Sequence, residues 1–288
     1  MTPILNIRFQ FLLVLLFLTS ALMEVKAEEF TLPENPFTRL VRSEDGELKS
    51  FDTSLVTFVS QDGSQRVTLV GAIHIGEAQY YKTLNEKFTQ FDAVLFEMVG
   101  DGDPRPDSAK DSKGIVGSAQ RLSAEMMGLE FQIGSIDYHA KNFIHGDMTT
   151  TEFKDGMKKR GDGVLVWYAR SLGYENAQRS ETSPEDLKNI LNLIVSSDKS
   201  KALRRMSAEK MADIKSTTKP VDGKNGSTLI RDRNAKALQV LREQLDSGKK
   251  NVAIFYGAAH LPDFAQKLQE DFGMKPEKIE WITCWKLD

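Results

Sequence analysis

The chain has 288 residues, 40% of them hydrophobic and 27% charged, and its 38 Lys and Arg nearly balance 41 Asp and Glu for a formal charge of −3. That is enough apolar material for a sizeable core in one large domain or two small ones. It excludes a nucleic-acid binder working through a global positive field and a highly charged disordered chain. A single cysteine, Cys284, excludes an internal disulfide and any multi-cysteine metal site.

Residues 1–27 read as a secretory address. Arg8 precedes an apolar run from Phe9 to Met23, and Val25, Lys26 and Ala27 supply the small residues a signal peptidase needs. The run is short of the roughly 20 apolar residues of a membrane span, so the expectation is export to a periplasmic or extracellular space without stable membrane insertion. An uncleaved anchor is the alternative. Residues 28–50 are polar, with Pro33 and Pro36, and read as an N-terminal arm before a domain over 51–288.

In that domain, Leu55–Val59 and Arg66–Val70 read as two strands of a hairpin across Asp62-Gly63. A helix is predicted over 77–91 from Tyr80, Leu84 and Phe88. Ala93–Phe96 is a short apolar run of the kind buried on both faces. Residues 100–117 read as a loop and 118–129 as a helix. Residues 149–226 show helix signals and no confident strand; the best is Ser183-Pro184-Glu185-Asp186, which opens onto Leu187, Ile190, Leu191 and Ile194. Helix over 229–245, strand over 251–256, helix over 262–272 and strand over 278–285 complete the pattern. The expected fold is α/β: a mixed central sheet flanked by helices, with a mainly helical insertion or lid at about 149–226.

Two strand ends match. Gly71-Ala72-Ile73-His74 follows one apolar run and Gly257-Ala258-Ala259-His260 follows another. Ligands of α/β sheets gather beyond the carboxyl ends of strands, and glycine there permits a turn or a close backbone approach. One such histidine is most simply a satisfied structural residue; two in the same context favour a shared site. Glu97 closes a third strand, where either a catalytic carboxylate or a solvated chain end would sit. Arg233 faces inward if Leu229, Ala237, Leu238 and Leu241 mark the buried side of their helix, although periodicity alone favours a solvated charged first turn.

Gly71–His74, Phe96-Glu97, Asp232-Arg233-Asn234 and Tyr256–Leu261 together resemble the TraB/TIKI family, which is related to the ChaN-like and erythromycin-esterase-like proteins. The resemblance spans about residues 55–285 and implies a site between the two motif-bearing strands. Some TIKI-type members are divalent-metal-dependent peptidases. By matching motifs, the resemblance implies His74 and His260 as metal-associated histidines, Glu97 as ligand or general base, and Arg233 as electrostatic partner, with Arg231 the neighbouring alternative.

Two imidazoles and a carboxylate can hold a catalytic divalent ion if one position stays open for water. Manganese, cobalt and zinc all suit such donors. The expectation is therefore an exported metal-dependent hydrolase acting on a peptide or small-molecule substrate. The rival is a non-catalytic protein that binds a peptide signal or a tetrapyrrole in the same crevice. A third reading is an esterase that uses a histidine as base without metal.

The chain has no Gly-x-Ser-x-Gly elbow and no His-Glu-x-x-His helix. Cys284 reads as packing, and Asp101, Asp103, Asp107 and Asp111 lack EF-hand spacing. His139 and His145 read as structural, with a supporting role near the site as the less favoured option. Phe131, Trp167, Tyr168, Met126 and Met127 read as core.

Overall fold

The computed structural model describes residues 30–106, 115–163, 196, 198–212, 222 and 226–288, with backbone alone at 115–119 and 121. The signal-like segment, Asp107, Asp111, Trp167, Tyr168 and the helix start at Ser183 lie outside the described residues. Leu32–Asp288 form the compact body described below.

The body is an α/β fold around a seven-stranded mixed sheet. In chain order its elements are β1 (Thr38–Arg42), β2 (Leu48–Val59), β3 (Arg66–Ala72), β4 (Ile75–Gly76), α1 (Ala78–Phe88), β5 (Ala93–Phe96), α2 (Ile115–Met127), β6 (Glu130–Phe131), α3 (Gln132–Ser135), β7 (Phe143–His145), α4 (Thr150–Arg160) and α5 (Lys199–Met211). A π-helical turn (Thr228–Asp232) leads into α6 (Arg233–Asp246). Then come β8 (Asn251–Gly257), a 3-10 turn (Ala258–His260), α7 (Leu261–Glu270) and β9 (Lys275–Lys286).

Strands β3, β8, β5 and β7 run side by side and parallel. β2 and β3 are antiparallel, as the Asp-Gly turn requires. β9 pairs with β2 along Ser50–Val59, so β1 and β3 share β2's other edge. β4 and β6 form a separate two-stranded ladder.

The parallel strands are continuous apolar runs because both faces are covered: every residue of β5 is buried, as are Val67–Ala72 and Val252–Gly257. Consecutive residues point to opposite faces of a strand, and β8 shows what lies on each. Phe255 meets Phe88 of α1 with ring centroids 4.9 Å apart, while Tyr256 meets Phe264 of α7 at 5.1 Å. Each such buried Leu or Phe contributes about 1.5–3 kcal/mol, so apolar packing carries the stability of the sheet.

Residues 38–42 differ from the polar arm expected over 28–50: they add strand β1. Phe37 and Thr38 are buried, and Arg39 donates to Asp52 at 3.0 Å. β2 begins at Leu48 rather than Leu55 for a related reason. Its polar residues are buried but satisfied: Ser54 Oγ donates to Pro36 O, and Asp52 accepts from Ser50 and Thr283. Burial pairing, not apolar patterning, holds this half of the strand.

The helix expected over 229–245 opens as a π-helical turn, and regular α geometry starts at Arg233. The loop over 100–117 ends earlier than expected, since α2 begins at Ile115. Of the helical middle, the described parts are α4, opened by a Thr149–Glu152 capping box, and α5. Met126 is 55% exposed rather than core, whereas Phe131 and Met127 are buried. No helix among the described residues is long and apolar enough to cross a membrane.

Candidate functional site

Register brings the strand ends level. Ala72 pairs with Gly257, Phe96 with Phe255, and Phe96 with His145. The residues just beyond these pairs are His74, His260, Glu97 and Asp147. All four parallel strands therefore deliver a polar side chain to one end of the sheet, and the first residue of α6, Arg233, meets them there.

Glu97 lies at the centre. Its Oε1 accepts from Arg233 Nη2 at 2.7 Å and its Oε2 from the Gly257 backbone N–H at 2.6 Å. Glycine at 257 eases this approach, because a Cβ there would stand 3.3 Å from the same Oε2, tight for a side-chain contact. Gly71 serves packing instead: a Cβ on it would press to 3.2 Å against Leu261, the first residue of α7. Burial by itself would push the Glu97 carboxyl up, but Arg233, His260, His74 and the Gly257 N–H together hold it well below the usual carboxylate range.

Arg233 is buried, 6% exposed. Besides Glu97 it grips Asp147, with Nη2 2.5 Å from Oδ2 and Nε 3.0 Å from Oδ1. Burial opposes its charge, yet Glu97 and Asp147 hold the guanidinium protonated. Of the two arginines, only Arg233 points inward to Glu97. Arg231 is 46% exposed and pairs with Asp222 at 2.9 Å and with Asp263 at 3.4 Å. Glu97 and Asp147 thus share one buried guanidinium, and such clusters add little net stability over apolar packing.

His260 is 4% exposed and its Nε2 stands 3.5 Å from Glu97 Oε1. Burial disfavours its charged form and lowers its pKa to about 4, although Glu97 pulls the other way. At neutral pH the imidazole is neutral. Its Nδ1 is 2.6 Å from Asn234 Oδ1, and its ring lies edge-on to Tyr256 at 5.1 Å.

His74 is exposed, and its Nδ1 is 3.2 Å from Gln132 Oε1. The pairing of Ile75 with Phe131 sets His74 and Gln132 opposite each other, and the Gln132 N–H donates to His74 O at 2.8 Å. Gln132 Nε2 in turn donates to the buried Tyr138 hydroxyl at 2.8 Å. The two motif histidines thus come to the same end of the sheet, one buried and one exposed, and both bias the charge of Glu97.

His145 lies in β7 with Nε2 2.6 Å from Met98 O and its ring against Phe96, an ordinary structural placement. His139 is exposed. Cys284 is fully buried with Sγ 2.9 Å from Phe51 O, and burial pushes its thiol up, as a packing residue requires.

The motif reading names His74, His260 and Glu97 as ligands of a divalent ion. His260 Nε2 and Glu97 Oε1 do face each other. However, both Glu97 oxygens already take donors, a guanidinium sits 2.7 Å from Oε1, and His74 stands at the exposed edge. Among the described residues no three His, Cys, Asp or Glu side chains converge on one ion position. The donors as placed do not fit a completed metal site, and no step below runs through one.

Two residues of this cluster escaped sequence reasoning: Asp147, two residues beyond a short apolar run, and Gln132, which carries no sequence signal. Asn234 enters the sequence reading only as part of the Asp232-Arg233-Asn234 motif. No family model, no curated protein and no solved structure matches this chain.

Proposed function

We propose that the cluster of Glu97, Arg233 and His260 at this end of the sheet is the active site of an exported hydrolase that attacks an ester or amide carbonyl with water activated by His260. The observation that carries the reading is the His260–Glu97 pair: a neutral imidazole whose Nε2 stands 3.5 Å from an ionised carboxylate oxygen, and which is a second acceptor when its proton lies on Nδ1 toward Asn234. Two acceptors facing each other call for a proton donor that touches both, and water is the simplest.

In this reading a water molecule donates one hydrogen toward His260 Nε2 and the other toward Glu97. As its oxygen bonds to the carbonyl carbon, Nε2 takes the proton. The imidazolium so formed is stabilised by the adjacent Glu97 carboxylate. When the tetrahedral intermediate collapses, Nε2 returns the proton to the departing oxygen or nitrogen. Arg233 positions Glu97 and keeps it ionised; its Nε and Nη2 are taken up by Glu97 and Asp147, so oxyanion stabilisation is not assigned to them. His74, at the exposed edge, contacts substrate.

The export element rests on residues 1–27 alone. The resemblance to TraB/TIKI proteins supports hydrolysis through its motif order and leaves the substrate open. The test is a screen of the purified full chain against ester and peptide libraries, with and without a chelator, beside His260→Ala. Turnover that survives chelation and disappears in His260→Ala, with an unchanged circular-dichroism spectrum, is expected. Turnover that needs added manganese, cobalt or zinc would replace the histidine-base mechanism with the metal-dependent one that the motifs imply. Binding of peptide or tetrapyrrole without turnover would overturn catalysis altogether.

A further inference from the structure

We propose that Asn234, anchored by Asp263, is a positioning residue that locks His260 in the Nδ1–H tautomer, so that Nε2 faces Glu97 as a bare acceptor. The kinetic part of this inference rests on the hydrolase reading; the tautomer itself does not.

The argument starts from the amide. Asn234 is fully buried, and its Nδ2 lies 3.1 Å from the His260 backbone oxygen and 2.8 Å from Asp263 Oδ2. Both partners are acceptors with no proton to give, so the nitrogen must point at them and the assignment of the amide atoms is fixed by its neighbours. Oδ1 is therefore the atom 2.6 Å from His260 Nδ1. A carbonyl oxygen can only accept, so the neutral imidazole carries its proton on Nδ1.

That outcome is not the default. Glu97 Oε1, a charged acceptor, competes for the single ring proton from the other side. Its distance of 3.5 Å is long for a hydrogen bond, whereas 2.6 Å to Asn234 is short. With Asn234 absent, the proton belongs on Nε2, donated to Glu97, and the nitrogen that must accept from water is then blocked. Position in sequence makes the clamp possible. Arg233 and Asn234 are neighbours at the start of α6, so one turn of helix fixes Glu97 through the guanidinium and His260 through the amide. Asp263 lies in the first turn of α7, three residues beyond His260, and closes the loop between the two helices. Its Oδ1 faces Arg231 Nη1 at 3.4 Å.

Nitrogen-15 NMR of the histidine rings in the full chain at neutral pH reads the tautomer without any substrate. The expected result is a protonated-type Nδ1 and a bare-type Nε2 for His260, assigned by loss of those signals in His260→Ala. A wild-type protein with the proton on Nε2 overturns the proposal. Asn234→Ala should move the proton to Nε2, while Asp263→Asn, which keeps an acceptor for the Asn234 amide, should leave it on Nδ1. With an ester or peptide substrate in hand, Asn234→Ala should lower kcat on the order of 10²–10⁴-fold, the scale of a wrong-tautomer histidine, with KM within about threefold of wild type. Unchanged kcat in a variant whose tautomer has flipped overturns the positioning role. Full activity of His260→Ala would instead remove the hydrolase reading and leave the tautomer assignment standing.

Discussion

The two Gly-x-x-His strand ends share a sequence pattern and differ in almost everything physical. After β8 the chain coils into a 3-10 turn and then α7, which drives His260 under the helices and leaves it 4% exposed. After β3 it extends into the two-residue strand β4, which holds His74 open at the rim. Both imidazoles have an amide oxygen beside Nδ1, from Asn234 in one case and Gln132 in the other. Only the first amide is pinned by pure acceptors. Tyr138 could give or take a hydrogen bond, so Gln132 does not dictate a tautomer. The same four-residue signature therefore yields a buried imidazole held by a pinned amide at one end and an exposed imidazole beside an unpinned amide at the other.

The largest effects should separate the two ends. His260→Ala should lower kcat/KM by about 10²–10⁴-fold, the usual contribution of a positioned general base. His74→Ala should lower it by about tenfold or less, the loss of one exposed contact worth about 1.4 kcal/mol. Steady-state kinetics on one substrate measure both, and equal losses would dissolve the asymmetry. Asp147→Ala tests the buried side from below. It strips Arg233 of its bidentate partner in a desolvated place, and breaking a buried ion pair costs about 3–5 kcal/mol. Urea denaturation should show that drop, whereas a cost under about 1 kcal/mol would mean that water reaches the guanidinium.

Acid should weaken the buried end first. His260 has a folded pKa of about 4 against an ordinary 6.5, so the unfolded chain binds a proton that the native protein refuses as pH falls through that window. The sign is a loss of stability on acidification, up to about 1.4 kcal/mol per pH unit from this one group. It begins near pH 6.5 and levels off near pH 4. Glu97 adds a loss in the same direction below 4.5, because its folded pKa is depressed. Denaturation midpoints measured from pH 7 to pH 4.5 should fall more steeply for wild type than for His260→Ala. Parallel slopes would mean that His260 is solvated.

How much of this was legible in the sequence follows the same division. The α/β architecture, the Asp-Gly hairpin and the apolar runs of β5 and β8 were readable because continuous hydrophobicity reports burial on both faces. The placement of His74, His260 and Glu97 at neighbouring strand ends was readable because each follows an apolar strand run. Arg233 was readable only through its motif company, since helical periodicity favoured a solvated turn; what buries it is a pair of carboxylates that are far away in sequence. Asp147 was missed although residues 143–147 read as a strand and loop near the site, because attention there falls on His145 and nothing local pairs the carboxylate with Arg233, 86 residues away. β1 and the first half of β2 were hidden because their buried Thr38, Asp52, Thr53 and Ser54 look like loop composition. Their partners are Arg39, Thr283 and Pro36 O among others, which no local window contains.

The smallest prediction concerns the rim. Gln132 is 6% exposed and links His74 Nδ1 to the Tyr138 hydroxyl, which donates nothing that fixes the amide. Gln132→Leu keeps the volume and removes one side-chain bridge, so it should cost about 0.5–1.5 kcal/mol, the net worth of a hydrogen bond. Because His74 stands in water, which can replace the lost partner, the catalytic penalty should not exceed that of His74→Ala. The nitrogen-15 pattern of His260 should stay as in wild type, since its clamp comes from α6 and α7. If Gln132→Leu shifted the His260 ring signals or matched His260→Ala in activity, the two strand ends would be coupled as one unit, and the division between a locked interior histidine and an adaptable rim histidine would have to be given up.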